Sequence, residues 1–132
     1  MWLATTSGWF SVVVDARHEG MMLIRARCAS DVAHLYRDHH EALPSLTEPT
    51  SDESRDYRWR ISISRADWLV LAARLADQVI YGNFKKAVHE QKGQENKSAA
   101  YLQVWRALYE VQQRENLDRP PENRKDAEGK AR

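Results

Sequence analysis

The chain has 132 residues, a formal charge of +1 and one cysteine. This length is enough for one ordinary domain with a core that needs no disulfide bonds. The lone Cys28 excludes an intramolecular disulfide and favours a reducing compartment. The nearly neutral charge gives no global reason to expect nucleic acid or an anionic membrane. Neither a signal peptide nor a membrane span is predicted, so we expect a soluble, cytoplasmic protein.

The N-terminal part is predicted to form three strands, over residues 2–5, 9–14 and 21–28. Residues 9–14 are aromatic and β-branched, which is typical of a strand covered on both faces. The tripeptide Thr6-Ser7-Gly8 predicts a turn between the first two strands, with Gly8 available for a positive φ angle. The three strands are therefore expected to form a meander.

Alternation in the third strand separates apolar from charged side chains. Ile24, Ala26 and Cys28 point to one side of the strand. Arg25 and Arg27 point to the other side. On the apolar side, Cys28 is expected to be a small core residue and not a nucleophile.

An amphipathic helix is predicted next, with Ser30 as its N-cap and Asp31 near the positive end of the helix dipole. Apolar positions at helical spacing are expected to rest on the sheet, and these are Val32, Leu35, Tyr36, His39 and Leu43. Residues 44–55 contain two prolines and several acids, which predicts an exposed and mobile loop.

Residues 56–84 carry the strongest pattern in the chain. A half-buried strand is predicted because Arg58, Arg60 and Ser62 alternate with the apolar residues Tyr57, Trp59, Ile61 and Ile63. Ser64 is the predicted N-cap of the following helix, and Gly82 is expected just past its C-terminus. Apolar residues cover so much of this helix that burial on more than one side is expected, through Trp68, Leu71, Leu75, Val79, Leu69, Ala73 and Ile80.

Two further helices complete the predicted α+β fold. A short helix is predicted near residues 84–93, and a longer helix begins at Asn96 or Ser98. The apolar stripe of the longer helix should pack on another surface, through Tyr101, Val104, Trp105, Leu108 and Val111. The predicted order is β-β-β-α-β-α-α-α, with a mainly antiparallel sheet of about four strands and helices on one face. A single domain over residues 1–113, with a helical C-terminal part, is followed by a flexible charged tail over residues 114–132.

No catalytic, metal or cofactor site is predicted. His34, His39 and His40 lack the i, i+4 spacing that would place two histidines on one helical face. Isolated glycines give no loop that could cradle a phosphate, and the acids concentrate in a loop and the tail instead of at strand ends. An enzyme is therefore the least favoured class, although an unrecognised site stays open.

The polar side of the two alternating strands is the main candidate for function. Arg25 and Arg27 on one strand and Arg58 and Arg60 on the other would share a sheet face if the helices cover the opposite face. An ordinary solvated face explains the same pattern, and nearby acids could pair with the arginines, namely Asp15, Glu19, Asp52, Glu53 and Asp56. The five tryptophans are expected mostly in the core, with one or two as exposed anchors for a protein partner.

Three stretches resemble a group of small bacterial proteins that begin with Met-Trp and carry a Tyr-x-Asn-Phe-Lys element. These stretches are the opening MWLATTSGWFSVV, the RAR of residues 25–27 and the YGNFKKAV of residues 81–88, and the similarity runs over most of residues 1–112. No activity is established for that group, so the resemblance implies a shared fold and no mechanism.

Within this resemblance, a second candidate cluster consists of Tyr81, Asn83, Phe84 and Lys85 at the start of a predicted helix. Free amides at a helix N-terminus favour an anion. A cap at Asn83, with Phe84 in the core and Tyr81 beside it, accounts for the same residues without any ligand.

The favoured function is a non-catalytic binding protein that recognises a macromolecule, most of all another protein, as a phage- or plasmid-type inhibitor or adaptor would. The surfaces expected to bind the partner comprise Arg25, Arg27, Arg58, Arg60, Tyr81, Asn83 and Lys85. The alternative is a nucleic-acid-binding protein that uses the four arginines on phosphates.

Overall fold

The computed structural model describes residues 1–118. The chain divides into two compact units, Met1–Glu95 and Asn96–Arg132. Helical structure in the second unit continues to Asp118, past the predicted start of the tail at residue 114. Residues 119–132 of that predicted tail lie outside the described part, so the domain boundaries stay a prediction.

The described elements follow one another in the order β-β-β-α-β-β-α-α-α. The strands are β1 Trp2–Thr5, β2 Gly8–Val14, β3 Met21–Ala26, β4 Thr50–Ser51 and β5 Trp59–Ser64. The helices are α1 Ala29–His39, α2 Arg65–Asp77, α3 Phe84–Glu90 and α4 Ser98–Asp118, and a 3-10 turn over Glu95–Lys97 precedes α4.

All five strands belong to one antiparallel sheet with the order β1-β2-β3-β5-β4. The α+β class and the antiparallel sheet with its C-terminal helix are thereby confirmed. The additional strand is β4, which lies within the predicted loop of residues 44–55 and pairs with β5. Sequence patterning missed it because two residues are too short to show alternation.

The loop that contains β4 is anchored to the rest of the unit. Leu46 is buried in the core, and the main-chain N–H of Thr47 donates to the carbonyl of Ser62 at 2.9 Å. The Ser45 hydroxyl donates to Asp67 at 2.5 Å, and this bond lowers the pKa of the Asp67 carboxyl. The prediction of an exposed loop was therefore wrong at Leu46, whereas Pro44, Thr47 and Glu48 are exposed as predicted.

The core lies between the sheet and the first two helices. Alternate residues of β2, β3 and β5 meet α1 and α2 there, with Val32 and Leu35 from α1 and Trp68 from α2 among the buried residues. At roughly 25 cal/mol per Å² of apolar surface, this burial is the main stabilising contribution to the unit. The sheet therefore has one face toward these helices and one turned away from them.

The start of α2 follows its sequence signal, and the start of α1 does not. The Ser64 hydroxyl accepts the N–H of Asp67 at 3.1 Å, as the capping pattern predicts. Helix α1 begins at Ala29 with Cys28 at the N-cap position, so the prediction of Ser30 as the cap was wrong. Cys28 is exposed and not in the core, because β3 ends at Ala26 and its alternation ends there too.

Helix α2 ends earlier than its apolar pattern predicts. Its last residue is Asp77, so Gly82 is not next to its C-terminus and Val79 is not part of its buried stripe. Leu69 is exposed, and Ile80 is 94% exposed. Among residues 1–118, this helix is therefore buried on one side only, and the prediction of burial on more than one side was wrong.

Gly8 is required for a close approach and not for an unusual backbone conformation. Positive φ angles among the described glycines occur only at Gly20 and Gly93. A Cβ atom at Gly8 would lie 2.7 Å from Cγ of Asp31, a carboxyl side chain that is 2% exposed. Asp31 accepts the main-chain N–H of Trp9 at 3.2 Å, so the start of β2 is held against α1.

The same carboxyl also connects the hairpin to the end of the first unit. The amide nitrogen Nε2 of fully buried Gln94 donates to Oδ1 of Asp31 at 3.3 Å and to the carbonyl of Ser7 at 3.0 Å. These bonds join residues that are 63 and 87 positions apart in the chain. Asp31 thus lies in the first turn of α1, as predicted, and its buried carboxyl also connects three segments of the chain.

Helix α4 accounts for most of the described part of the second unit. Several of its predicted stripe residues are exposed, among them Trp105, Leu108 and Val111. Trp105 and Tyr109 stack with ring centroids 5.2 Å apart. Within residues 1–118, no helix combines the length and apolar character needed to cross a membrane.

We predict that Gly8→Ala lowers the free energy of unfolding by about 1–3 kcal/mol, because the new methyl group must displace the backbone or the buried Asp31 carboxyl. Gly82→Ala is the matched control, since a Cβ there meets no atom within 4 Å. Urea denaturation of both variants measures the difference. Equal stability of the two variants would contradict the close approach at Gly8.

Candidate functional site

The sheet face that is turned away from α1 and α2 is called the arginine face. A row of paired residues crosses it. The strand registers place Trp2 opposite Ser11, Ser11 opposite Arg25, Arg25 opposite Arg60, and Arg60 opposite Thr50. Directly paired residues lie on the same face of a sheet. The row therefore extends over all five strands, with Arg25 and Arg60 at its centre.

Arg25 is held within this row. Its Nη2 atom donates to the hydroxyl of Ser11 at 2.8 Å, and its Nε atom is buried without a hydrogen-bond partner in the described structure. Arg60 donates from Nε to the carbonyl of Tyr57 at 3.3 Å. Two guanidinium groups on adjacent strands are thus positioned by neutral oxygen atoms.

Tyr57 joins Arg25 and Arg27, a role that the alternation pattern does not reveal. Both guanidinium groups lie over its ring, with Cζ atoms 4.8 Å and 4.4 Å from the ring centroid. This distance is within the range of cation–π attraction. The prediction that Tyr57 shares the apolar face of β5 was wrong, because β5 begins at Trp59 and Tyr57 precedes it in a bend.

Arg58 is separated from the other three arginines by its own contacts. It forms an ion pair with Glu53, and its guanidinium lies 5.6 Å from the ring centroid of Trp59. Arg25, Arg27 and Arg60 instead meet at Tyr57. The structure thus brings together three of the four predicted arginines and directs the fourth toward the preceding loop.

Carboxylates from the loop before β5 partly neutralise the arginine face. Arg27 donates to the main-chain carbonyl of Asp56 at 3.2 Å, and the Asp56 carboxylate lies 3.7 Å from Nη2 of Arg27. Asp52 pairs with Arg55 and also interacts electrostatically with Arg60. These pairs are exposed and contribute little to stability. They do reduce the positive potential that phosphate groups would encounter.

The second predicted cluster lies on the other side of the sheet. Tyr81 lines a groove with Leu3 of β1 and with Ala72 and Leu75 of α2, which packs on the helix-covered face. Asn83 caps α3 by accepting the N–H of Lys86 at 3.0 Å. The cap interpretation therefore accounts for Asn83.

The remaining members of this cluster form no joint site with the arginines. Tyr81 packs against Phe84 with ring centroids 5.9 Å apart, and Lys85 is exposed on α3. Helix α3 has only seven residues, which is too short to give its N-terminus much dipole strength for an anion. No described contact links these residues to Arg25 or Arg60.

The tryptophans are less buried than their apolar positions predict. Trp68 is buried and Trp9 and Trp59 are half-buried, whereas Trp2 is 68% exposed and Trp105 is 51% exposed. Trp2 and Trp9 make an edge contact, with ring centroids 6.0 Å apart. Trp2 also belongs to the row on the arginine face, so an exposed aromatic residue and the arginines share one surface.

A polar groove extends along the arginine face beside the turn after β2. It is lined by charged side chains that include Asp15, His18 and Arg60. Asp15 accepts from His18 at 2.9 Å and from the N–H of Arg17 at 3.0 Å, and these bonds lower the pKa of its carboxyl. Both bonds stabilise the turn itself. Among the described residues, no group of His, Cys, Asp and Glu could hold a metal ion.

His39 is the only one of the predicted first-helix histidines that the structure buries. Its Nδ1 atom has no hydrogen-bond partner in the described part, and burial, with a smaller effect of Arg74, lowers its pKa. A neutral buried imidazole without an orienting carboxylate bond is typical of a core residue and not of a catalytic base.

Comparison of the chain with protein-family models, with curated proteins and with solved structures found no match. The resemblance of residues 1–112 to a group of small bacterial proteins therefore stays a prediction. The geometry of the described residues is the basis for a functional proposal.

We predict that Tyr57→Leu lowers the free energy of unfolding by about 1–2 kcal/mol more than Tyr57→Phe, because leucine removes the ring on which two guanidinium groups stack. Phenylalanine keeps that ring and serves as the control. Urea denaturation at low and high salt measures the effect. Equal losses in the two variants would show that Tyr57 acts only through its apolar volume.

We also predict that stability falls as the pH drops below about 6.5, the usual pKa of histidine, because protonation of buried His39 is then easier in the unfolded chain. His39→Gln should flatten this dependence, whereas His89→Gln on the exposed side of α3 should not. Denaturation midpoints between pH 8 and 5, in steps of about half a unit, test this. An unchanged slope in His39→Gln would contradict it.

Proposed function

We propose that this chain is a non-catalytic binding protein that recognises a protein partner through the arginine face. The observation that carries the proposal is that exposed Trp2 shares one side of the sheet with Arg25 and Arg60, while Arg25 stacks on the Tyr57 ring together with Arg27. Trp, Tyr and Arg are the residues most enriched at the energetic centres of protein interfaces.

The contacts of the arginines support a protein partner over nucleic acid. Loop carboxylates pair with two of the four arginines, Asp56 with Arg27 and Glu53 with Arg58, and these pairs reduce the positive charge of the face. Binding to a phosphate backbone depends on concentrated, unneutralised positive charge. A protein surface, in contrast, offers carboxylates, carbonyls and apolar groups that match both the arginines and the aromatic rings.

Pre-organisation also supports a binding role for this face. Stacking on Tyr57 restricts Arg25 and Arg27 before any partner arrives. A side chain that is already ordered loses less conformational entropy on association. An inhibitor or adaptor that binds one partner by a rigid surface would gain from this arrangement.

We predict that Arg27→Ala with Arg60→Ala lowers affinity for the protein partner at least tenfold, which is about 1.4 kcal/mol. Arg37→Ala with Arg65→Ala removes the same charge from α1 and α2 and should leave affinity unchanged. Pull-down from a bacterial lysate identifies the partner, and titration calorimetry compares the variants. The proposal fails if no protein is captured or if both double variants bind alike.

The nucleic-acid alternative is tested in the same set of proteins. Fluorescence anisotropy with single-stranded and duplex oligonucleotides at low salt should show no binding. The opposite result would be oligonucleotide binding that weakens with added salt and disappears in Arg58→Ala with Arg60→Ala. It would show that the partner is nucleic acid and not a protein.

A further inference from the structure

Strand β1 forms one edge of the sheet and is bonded to β2 on its inner side. Met1 and Val12 exchange two main-chain hydrogen bonds of 2.8 Å, so they form a hydrogen-bonded pair of the antiparallel ladder. Such pairs alternate along the strand. Leu3 therefore faces β2 with its main-chain groups, and those of Trp2 and Ala4 point outward from the sheet edge.

These outward groups belong to a strand without the usual protection of an edge. Natural edge strands carry charges, prolines or bulges, or are very short. The opposite edge strand, β4, has only two residues. Strand β1 reads Trp-Leu-Ala-Thr, with no charge and no proline, and its Trp2 is 68% exposed. The donors and acceptors of Trp2 and Ala4 are thus suited to an added strand.

An apolar groove lies beside this edge. Its walls come from β1 and from the C-terminal half of α2 and the residues after it, and they carry no charged side chain: Leu3, Ala4, Thr5, Thr6, Ala72, Leu75, Ala76, Gln78, Val79 and Tyr81. If two copies of this groove came together, no like charges would repel each other.

We propose that β1 pairs with β1 of a second copy of this chain, in an antiparallel register centred on Leu3. Each Trp2 then forms a hydrogen-bonded pair with Ala4 of the other copy, which gives four main-chain hydrogen bonds across the two-fold axis. The two Leu3 residues face each other at the centre. The two sheets become one continuous sheet.

Self-complementarity of the strand is what selects a second copy as the occupant. In this register the large Trp2 side chain lies opposite the small Ala4, on both sides of the axis. In a register centred on Trp2 or on Ala4, only that one residue meets its equivalent in the second copy. Such a register forms two of the four main-chain hydrogen bonds. The register centred on Leu3 is therefore the one that satisfies every outward group of β1.

This inference uses the main-chain groups at the edge of β1 and none of the arginines, and it shares only Trp2 with the proposed function. Sedimentation equilibrium of the full chain should show a dimer at about 100 µM, a concentration suited to a weak to moderate interface. Ala4→Lys places a charge on the edge, and Ala4→Pro removes an N–H that β2 does not use. Both variants should be monomers, and Ala16→Lys, with the same change in an exposed turn, should remain a dimer.

A disulfide tests the register directly. Facing residues of a non-hydrogen-bonded pair have Cα atoms about 4.5 Å apart, within the range that a disulfide spans. In a Cys28→Ser background, Leu3→Cys should form an intermolecular disulfide under mild oxidation, whereas Ala16→Cys should not. Cross-linking by Leu3→Cys supports the register even where Ala4→Pro lowers stability.

Three results would overturn the inference. A monomeric native chain at about 1 mM would exclude pairing between copies at any useful affinity. A dimer that Ala4→Lys leaves intact would place the interface elsewhere. The native chain could also stay monomeric and gain amide protection at Trp2 and Ala4 when a strand from another protein binds. That result would assign the edge to the other protein. The double variant Arg27→Ala with Arg60→Ala should still dimerise. Its dimerisation tests the β1 interface, and its loss of affinity for the protein partner tests the proposed function separately.

Discussion

The pairing of β3 with β5 is the constraint on which the rest of the first unit depends. It sets Ile24 opposite Ile61 on the helix-covered face and, one residue later on β3, Arg25 opposite Arg60 on the other face. A shift of one residue would exchange the two faces and bury guanidinium groups in the core, at a large cost in desolvation. The same register therefore stabilises the core and assembles the candidate site.

Tyr57 converts this register into a defined surface. Without its ring, Arg25 would keep its bond to the Ser11 hydroxyl and Arg27 its contacts with Asp56, but no ring would join the two guanidinium groups. With the ring, both guanidinium groups are stacked, and Arg60 bonds to the carbonyl of the same residue. Loop carboxylates then lower the net charge of the face. The resulting surface is aromatic and only moderately basic, and this combination is the reason we propose a protein partner and not a phosphate backbone.

Edges and faces of this sheet serve different purposes in the two proposals. The arginine face combines charge with aromatic rings, whereas β1 offers main-chain groups beside an apolar groove. Trp2 belongs to both surfaces, so a second copy bound at β1 would extend the arginine face of one copy into that of the other. Two copies of the binding surface on one rigid sheet would increase the apparent affinity for a repetitive or dimeric partner.

Local periodicity determined most of the architecture: the alternation of β3 and β5, the Ser64 cap and the buried stripe of α2 follow from residues a few positions apart. Those patterns also predicted that Arg25 and Arg60 share a face. Tertiary structure alone decided the ring under the arginines, the pairing of Glu53 with Arg58, the close approach at Gly8 and the exposure of Trp2. The Glu53–Arg58 pair joins residues five positions apart, whereas the other features depend on contacts between distant segments, as does the bond of Gln94 to Ser7 across 87 positions. Periodicity reports which face a side chain points to, and it carries no information about which other segment meets it there.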